Sequence, residues 1–296
     1  MENQIIYLNG NYVAKGDAVI SIYDHGFLYG DGVFEGIRAY EGNVYKLTEH
    51  VNRLYESAHS IMLEIPHKKE ELAEIIIETI RKNKLESAYI RVVVSRGVGD
   101  LGLDPRNCAT PTVIVIAEEL AIYANDLYEK GLKLASVGYR RSSPDVLNPQ
   151  IKSLNYLNNI LVKLSSIQSN ADEALILNNQ GFVTEGSADN IFIVKNGVIK
   201  TPPVYLGALE GITRNAIIDI AKEQEYVVEE VPFTLHDVYT ADEVFLTGTA
   251  AEVIPVVAVD NRKIGSGYPD VITKDLLHAF RQKTLIDGVH CYSKNL

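Results

Sequence analysis

Strand-like and helical runs succeed one another along this chain without a repeating strand-helix-strand rhythm, and that irregular order most constrains the fold. The opening "IIYLNGNYV" sets Asn9-Gly10 between two β-rich runs, a dipeptide that tolerates the positive φ of a tight hairpin turn. In "LTEHVNRLYESAHSIML", Val51, Leu54, Tyr55, Ala58, Ile61 and Met62 keep helical spacing behind Thr48, which predicts a helix capped by Thr48. "KEELAEIIIETIRKNK" predicts a second helix, its acids early and its bases late as the helix dipole favours. "YIRVVVSRG" and "TVIVIA" read as strands.

The pattern then loosens at "EELAIYANDLYEKG", which places a domain junction there: a small N-terminal domain over 1–118, a linker over 119–131 and a larger domain over 132–296. In the larger part, "KLASVGYRR", "EALILNNQG", "NIFIVKNGVIKTP", "EVFLTG" and "VIPVVAVDNRKI" are interspersed with a helix after Lys152 and another from Thr213. Mixing of this kind argues for an α+β fold rather than a doubly wound sheet.

The chain carries 39 acidic against 28 Lys and Arg side chains, a formal net charge of -11, with no basic cluster of the kind a phosphate backbone needs. Nucleic acid is therefore not an expected partner. The N-terminal "MENQIIYLNGNYV" lacks the features of a secretion signal, and no run reaches the roughly 18 apolar residues of a membrane span, so a cytoplasmic protein with no membrane partner is expected. Cys108 and Cys291 have no CxxC companion, which suggests neither a disulfide framework nor a metal site.

From Val146 to Val162 the only charged side chain is Lys152, in "NPQIKSLNYLNN". Ser153 reads as an N-cap, with Leu154, Leu157, Leu161 and Leu164 as an apolar stripe behind it. A cation at a helix N-terminus is disfavoured, which relatively favours the neutral amine, a nucleophile as a Schiff-base lysine must be; from the local sequence alone a solvated loop lysine is the plainer reading. In "LEGITRNAIIDIAKEQ" the stripe Ala216, Ile217, Ile220 and Ala221 predicts a helix whose first amides, at Ile212 and Thr213, suit a phosphate. "EVFLTGTAAEV" follows Gly248 with Thr249, Ala250 and Ala251, small enough for backbone amides and a hydroxyl to approach an anion. Glu185 interrupts the otherwise neutral "GFVTEGSADNIFIV". Each has a plainer explanation: a capped helix that binds nothing, a strand-to-turn passage, an exposed glutamate.

Taken together, "HGFLYGDGVFEGIRAYEG", "EHVNRL", "SAYIRVVVSRGVGDLGLDP", "IKSLNYLNN", "VTEGSADNIF", "LEGITRNAI" and "VFLTGTAAEVIPV" resemble, in order, the fold-type IV pyridoxal-phosphate enzymes. The resemblance is greatest to the branched-chain amino-acid aminotransferases. It implies a two-domain fold like that of D-amino-acid aminotransferases, with a small N-terminal α/β domain and a larger one built on a pseudo-barrel of mixed strands. It further implies pyridoxal 5'-phosphate held covalently by Lys152, with Glu185 facing its ring nitrogen, Leu209 packed on the ring and Tyr156 bonded to the ring oxygen. Tyr156 stands one residue closer to the lysine than in some members.

Arg53, Gly211, Ile212, Thr213 and Thr249 are implied to hold the phosphate. Tyr29, Phe34, Gly36, Tyr89 and Tyr123 would line a pocket for leucine, isoleucine or valine, and Arg91 would take the distal carboxylate of glutamate. Thr249, Ala250 and Ala251, with Tyr89, would hold the α-carboxylate. The implied substrates are amino acids and 2-oxo acids, and the implied assembly is at least a homodimer in which "GVGDLGLDP" and Tyr29 reach the neighbouring subunit.

Departures from the pattern keep alternatives open. The chain has no tryptophan for an aromatic wall, and Arg96 stands where D-amino-acid transaminases place a carboxylate-binding arginine, although Val98 replaces the histidine those enzymes tend to carry nearby. A D-amino-acid transaminase, an aminodeoxychorismate lyase and a non-catalytic binding protein of the same fold are the competing readings.

Overall fold

The computed structural model describes residues 4–119 and 125–292. It opens on the expected hairpin, β1 (Ile5–Leu8) and β2 (Asn11–Ala14), with Asn9 and Gly10 both at positive φ, 48° and 88°. There follow α1 (His25–Tyr29), β3 (Gly32–Tyr40), β4 (Asn43–Tyr45), α2 (Leu47–Ser60), α3 (Lys69–Lys82), β5 (Ala88–Ser95) and β6 (Thr112–Glu118). Then come α4 (Asn125–Lys130), β7 (Leu132–Arg140), α5 (Pro144–Leu147), α6 (Leu157–Gln168), β8 (Glu173–Leu177), β9 (Val183–Glu185), β10 (Asn190–Lys195) and β11 (Val198–Thr201). The rest comprises α7 (Ile212–Glu223), β12 (Val227–Glu230), α8 (Leu235–Tyr239), β13 (Glu243–Gly248), β14 (Glu252–Val259), β15 (Arg262–Lys263), α9 (Val271–Thr284) and β16 (Gly288–His290).

The chain divides into two compact units. The first comprises Met1–Leu120, Ile151–Tyr156 and Lys283–Leu296, and the second Ala121–Gln150 and Leu157–Gln282. Part of the segment read from sequence as a linker is helical, since α4 lies within it.

The first unit is built on an antiparallel sheet in the order β16-β4-β3-β5-β6-β1-β2. β5 alternates strictly, burying Ala88, Ile90, Val92 and Val94 while Tyr89, Arg91 and Val93 take the other face. The buried residues meet Leu47, Val51, Leu54 and Ala58 of α2 and Leu72, Ile76, Ile77 and Ile80 of α3, both sets at helical spacing. Each Val, Leu or Ile among them contributes about 1.5–3 kcal/mol on leaving water. Cys291 also lies in this core, and burial pushes its thiol up to about 11.

In the second unit β10, β13, β14, β7, β8 and β9 follow in order, and β9 pairs back to β10, so these strands close into the expected pseudo-barrel. Its pairing is mixed: β14–β7 and β7–β8 are parallel, and the other junctions are antiparallel. The pair that closes the ring is Glu185 opposite Asn190. Leu134, Leu175, Ile191, Ile193, Val244, Leu246, Ile254 and Val256 are among the residues of its core.

Several local expectations need correction. α2 begins at Leu47 behind Lys46, whose φ of 51° turns the chain out of β4, so Thr48 lies inside the helix and does not cap it. Met62 leaves the helical stripe: α2 has ended, Met62 adopts a φ of 53° and is 90% exposed, and Leu63 takes the core position. The helix after Lys152 begins only at Leu157, because Ser153 is engaged in an extended bridge with Val33. Its buried side is Asn159, Val162 and Ser166, whereas Leu157 and Leu164 of the expected apolar stripe are exposed.

Candidate active site

In the first unit, residues 151–156 lie along β3. The Phe34 amide donates to the Lys152 carbonyl at 3.0 Å, the Leu154 amide to Gly32 at 2.9 Å, and the Lys152 amide to Ser57 Oγ at 3.1 Å. Gly32 makes the approach possible, since a Cβ there would stand 2.7 Å from Leu154 Cδ1 and 2.6 Å from the Val94 carbonyl. Lys152 is thus held by strand-like bonding. The helix N-terminus invoked to favour its neutral form begins five residues later, so that part of the sequence argument does not apply.

Lys152 Nζ lies 4.6 Å from the Phe34 ring centroid and 3.4 Å from the Tyr156 hydroxyl, to which it donates. Phe34 and Tyr156 meet edge to face at 4.9 Å. The Arg91 guanidinium also lies over Phe34, 4.5 Å from its centroid, and donates to the Tyr89 hydroxyl at 3.2 Å. Gly36 stands opposite Arg91 in the sheet, and a Cβ on it would come within 2.3 Å of Tyr89 Oη. Phe34, Gly36, Tyr89, Arg91, Lys152 and Tyr156 therefore gather in one place: an amine and a guanidinium on an aromatic floor.

Arg53 is held from behind by two residues that sequence reasoning missed. Its Nε donates to Glu35 Oε1 at 2.7 Å and its Nη2 to Glu35 Oε2 at 2.8 Å, while His50 Nδ1 lies 2.7 Å from the same Oε2. Glu35 and His50 are both buried. Burial alone would raise the Glu35 carboxyl, but the Arg53 charge and the hydrogen bonds outweigh it and hold the acid well below the usual carboxylate range. Burial pushes His50 in the other direction, below its ordinary value, against the pull of Glu35. His50 is therefore a neutral donor here, and Arg53 supplies the countercharge.

In the second unit, Glu185 ends β9 with its carboxylate buried. Its Oε2 accepts the Leu209 amide at 2.9 Å, and its Oε1 lies 2.7 Å from Nη2 of Arg141. Asn190, its partner across the barrel seam, donates to the Leu209 carbonyl at 2.9 Å, and its Oδ1 fills the place a Cβ on Gly211 would need. Glu185, Leu209 and Gly211 are thereby tied together. Gly211 is the N-cap of α7 and contributes no capping side chain, so the first amides, including those of Ile212 and Thr213, present the positive end of a 12-residue helix. β13 ends in Gly248, and Thr249, Ala250 and Ala251 make the turn into β14. Just before them, Thr247 Oγ1 is buried with no hydrogen-bond partner among the described residues.

A profile of the amino-transferase class IV family matches residues 32–259, a span that includes Lys152, Glu185 and the α7 N-terminus. The chain belongs to the class IV aminotransferases. A putative branched-chain-amino-acid aminotransferase of Methanocaldococcus jannaschii is 53% identical over 289 residues, 98% of this chain and 99% of that one. Among solved structures, a T.th. branched-chain amino acid aminotransferase with pyridoxamine 5'-phosphate superposes with a TM-score of 0.92 at 39% identity, covering 96% of this chain and 95% of that one. The same protein complexed with N-(5'-phosphopyridoxyl)-L-glutamate gives a TM-score of 0.91 at 39% identity and the same coverage.

Within this class IV chain, Arg96 is tied to its own unit. Its Nε and Nη2 engage Asp31 at 2.9 and 3.0 Å, and its Nη1 and Nη2 donate to the Met62 and Ile61 carbonyls at 2.7 Å each. Two of its five N–H donors thus close the end of α2 and two more hold Asp31. Tyr29 donates its hydroxyl to the Leu101 carbonyl at 2.6 Å, which ties it to the "GVGDLGLDP" loop. Tyr123 lies outside the described residues. An open depression lined by Tyr12, His67, Glu71, Glu74, Ile75 and Glu78 contains none of the expected site residues.

Proposed function

We propose that the chain is a pyridoxal-phosphate-dependent transaminase that moves the amino group of L-leucine, L-isoleucine or L-valine to 2-oxoglutarate, giving a branched 2-oxo acid and L-glutamate. The observation that carries the reading is Lys152 Nζ over the Phe34 ring, with Arg91 over the same ring. Such a wall suits both an aliphatic side chain and the distal carboxylate of glutamate. The similar T.th. protein, complexed with a phosphopyridoxyl-glutamate, supports it.

Each unit carries residues that fit the cofactor: the first a primary amine beside a phenol, the second a buried acid, a helix start with no capping side chain, and a buried hydroxyl with no partner among the described residues next to the Thr249 turn. When bound, pyridoxal phosphate supplies an aldehyde that condenses with amines and a ring that accepts an electron pair from the substrate α-carbon. Lys152 would anchor it covalently, and its Nζ would be the base placed to take the substrate α-proton. Tyr156 bonds the ring oxygen and Leu209 packs on the ring. Glu185 keeps the ring nitrogen protonated. Arg53, Gly211, Ile212, Thr213 and Thr249 bind the phosphate, and the last of these acts with Tyr89, Ala250 and Ala251 on the α-carboxylate. Tyr29, Phe34, Gly36 and Tyr123 shape the side-chain pocket, and Arg91 receives glutamate. The same residues serve both half-reactions, so the kinetics are ping-pong.

We further propose a cytoplasmic homodimer. Ile22, Phe27, Leu101 and Leu103 of the first unit are 67–79% exposed, apolar side chains that a subunit interface would cover. Both cysteines are free thiols, in keeping with a reducing compartment. The deciding assay mixes the protein with 2-oxoglutarate and either L-leucine or D-alanine and scores the hand of the glutamate formed. L-Glutamate from L-leucine is expected; activity with D-alanine alone would end the reading.

A further inference from the structure

Arg141, which sequence reasoning did not single out, lies just beyond β7 and is buried along with the acid it meets. Its Nη2 faces Glu185 Oε1 at 2.7 Å, its Nη1 donates to Asn159 Oδ1 at 3.0 Å, and its Nε donates to the Gly207 carbonyl at 3.3 Å. Asn159 is itself fixed, donating to the Ser187 carbonyl at 2.6 Å. The guanidinium is therefore clamped on three sides, and its charge is aimed at one carboxylate oxygen. Among the described residues, the donor recorded for the other oxygen is a neutral one, the Leu209 amide.

We infer that Arg141 is a positioning residue that decides where the cofactor's ring proton resides: by holding Glu185 as an aimed carboxylate, it denies that acid the proton and leaves it on the ring nitrogen. The inference rests on the proposed role of Glu185. Its physics is a competition for one proton inside a desolvated site. A buried acid without a counterion favours its neutral form, and beside a pyridine nitrogen the neutral pair would win. A cation bonded to the acid tips the balance to the charge-separated pair, because at 2.7 Å it acts on the carboxylate directly. The ring is an effective electron sink only in that protonated state.

The test is nitrogen NMR of holoenzyme loaded with pyridoxal phosphate isotopically labelled at the ring nitrogen, with cofactor retention read by absorbance. The unaltered protein is expected to show a protonated ring. Arg141→Gln is expected to move the resonance most of the way to the unprotonated pyridine position with cofactor still bound. Arg141→Lys keeps the charge but loses the bonds to Asn159 and Gly207, and should stay near the unaltered position. A purely structural arginine would change retention or stability without moving the resonance. An unmoved Arg141→Gln resonance, or an Arg141→Lys resonance displaced as far as that of Arg141→Gln, overturns the inference while leaving the transaminase reading intact. Should Arg141→Gln fail to fold, Asn159→Asp splits the guanidinium between two carboxylates and is expected to shift the resonance part of the way; no shift there overturns the inference. An unprotonated ring in the unaltered protein overturns both this inference and the assigned role of Glu185.

Discussion

Two carboxylates, Glu35 and Glu185, take different routes to the same end: each is buried, and each faces an arginine. Replacing Glu185 by Gln keeps the shape and removes the charge. Cofactor should remain bound while kcat falls by about 100-fold or more, measured by the leucine assay with cofactor content read by absorbance. Unchanged turnover would reassign the acid. Around Glu35 the consequence is pH-dependent stability. His50 is held below its ordinary value of 6.5 in the fold, so as pH falls through that value the unfolded chain takes up a proton that the folded chain resists. The contribution is complete above that pH and is lost below it. Glu35, held below its ordinary 4.5, adds stability above that value that is lost only in stronger acid. Urea unfolding at pH 8 and pH 5 should show a larger loss in the unaltered protein than in His50→Gln; equal losses would place the titration elsewhere. Glu35 and Arg141 escaped sequence reasoning for one reason. A charged residue in or beside a strand reads as an exposed edge, and only the partner, 18 residues from Glu35 or 44 from Arg141, shows otherwise.

At the scale of elements, α3 and the alternating strand β5 were legible because their periodicity is set by burial on one face, and the hairpin because Asn9-Gly10 accepts the positive φ of its turn. The start of α6 was not. "SLNYLNN" has the residues of a capped helix, but its first part is bonded to β3 by a tertiary contact that local pattern cannot register. The loop that leads into α7 offers a test. Gly211 has an ordinary φ of -70°, so a side chain there strains no backbone; the obstacle is Asn190 Oδ1 at 2.0 Å. Gly211→Ala should displace Asn190, loosen Leu209 and raise the cofactor dissociation constant about tenfold or more in fluorescence titration, with the circular dichroism of the helices unchanged. Undiminished affinity would detach this loop from cofactor binding.

For the whole molecule, the pseudo-barrel and the family were both readable from motif order, because those motifs mark the ends of strands and the start of one helix. The exposed apolar residues were not, since exposure depends on what the fold leaves uncovered. Phe27→Lys combined with Leu101→Lys should convert a dimer to a monomer in sedimentation velocity, with dimer affinity weakened about 100-fold or more. A dimer that persists would move the interface elsewhere. The strand order carries a last consequence. β16 is the outer strand beside β4, Asn43 donates to the Thr284 carbonyl, and Cys291 fills part of the first core. Residues far downstream in the sequence thus border and seal a sheet otherwise made from the chain's first 120 residues. That unit cannot complete its packing until both segments are in place, which makes its closure a non-local step.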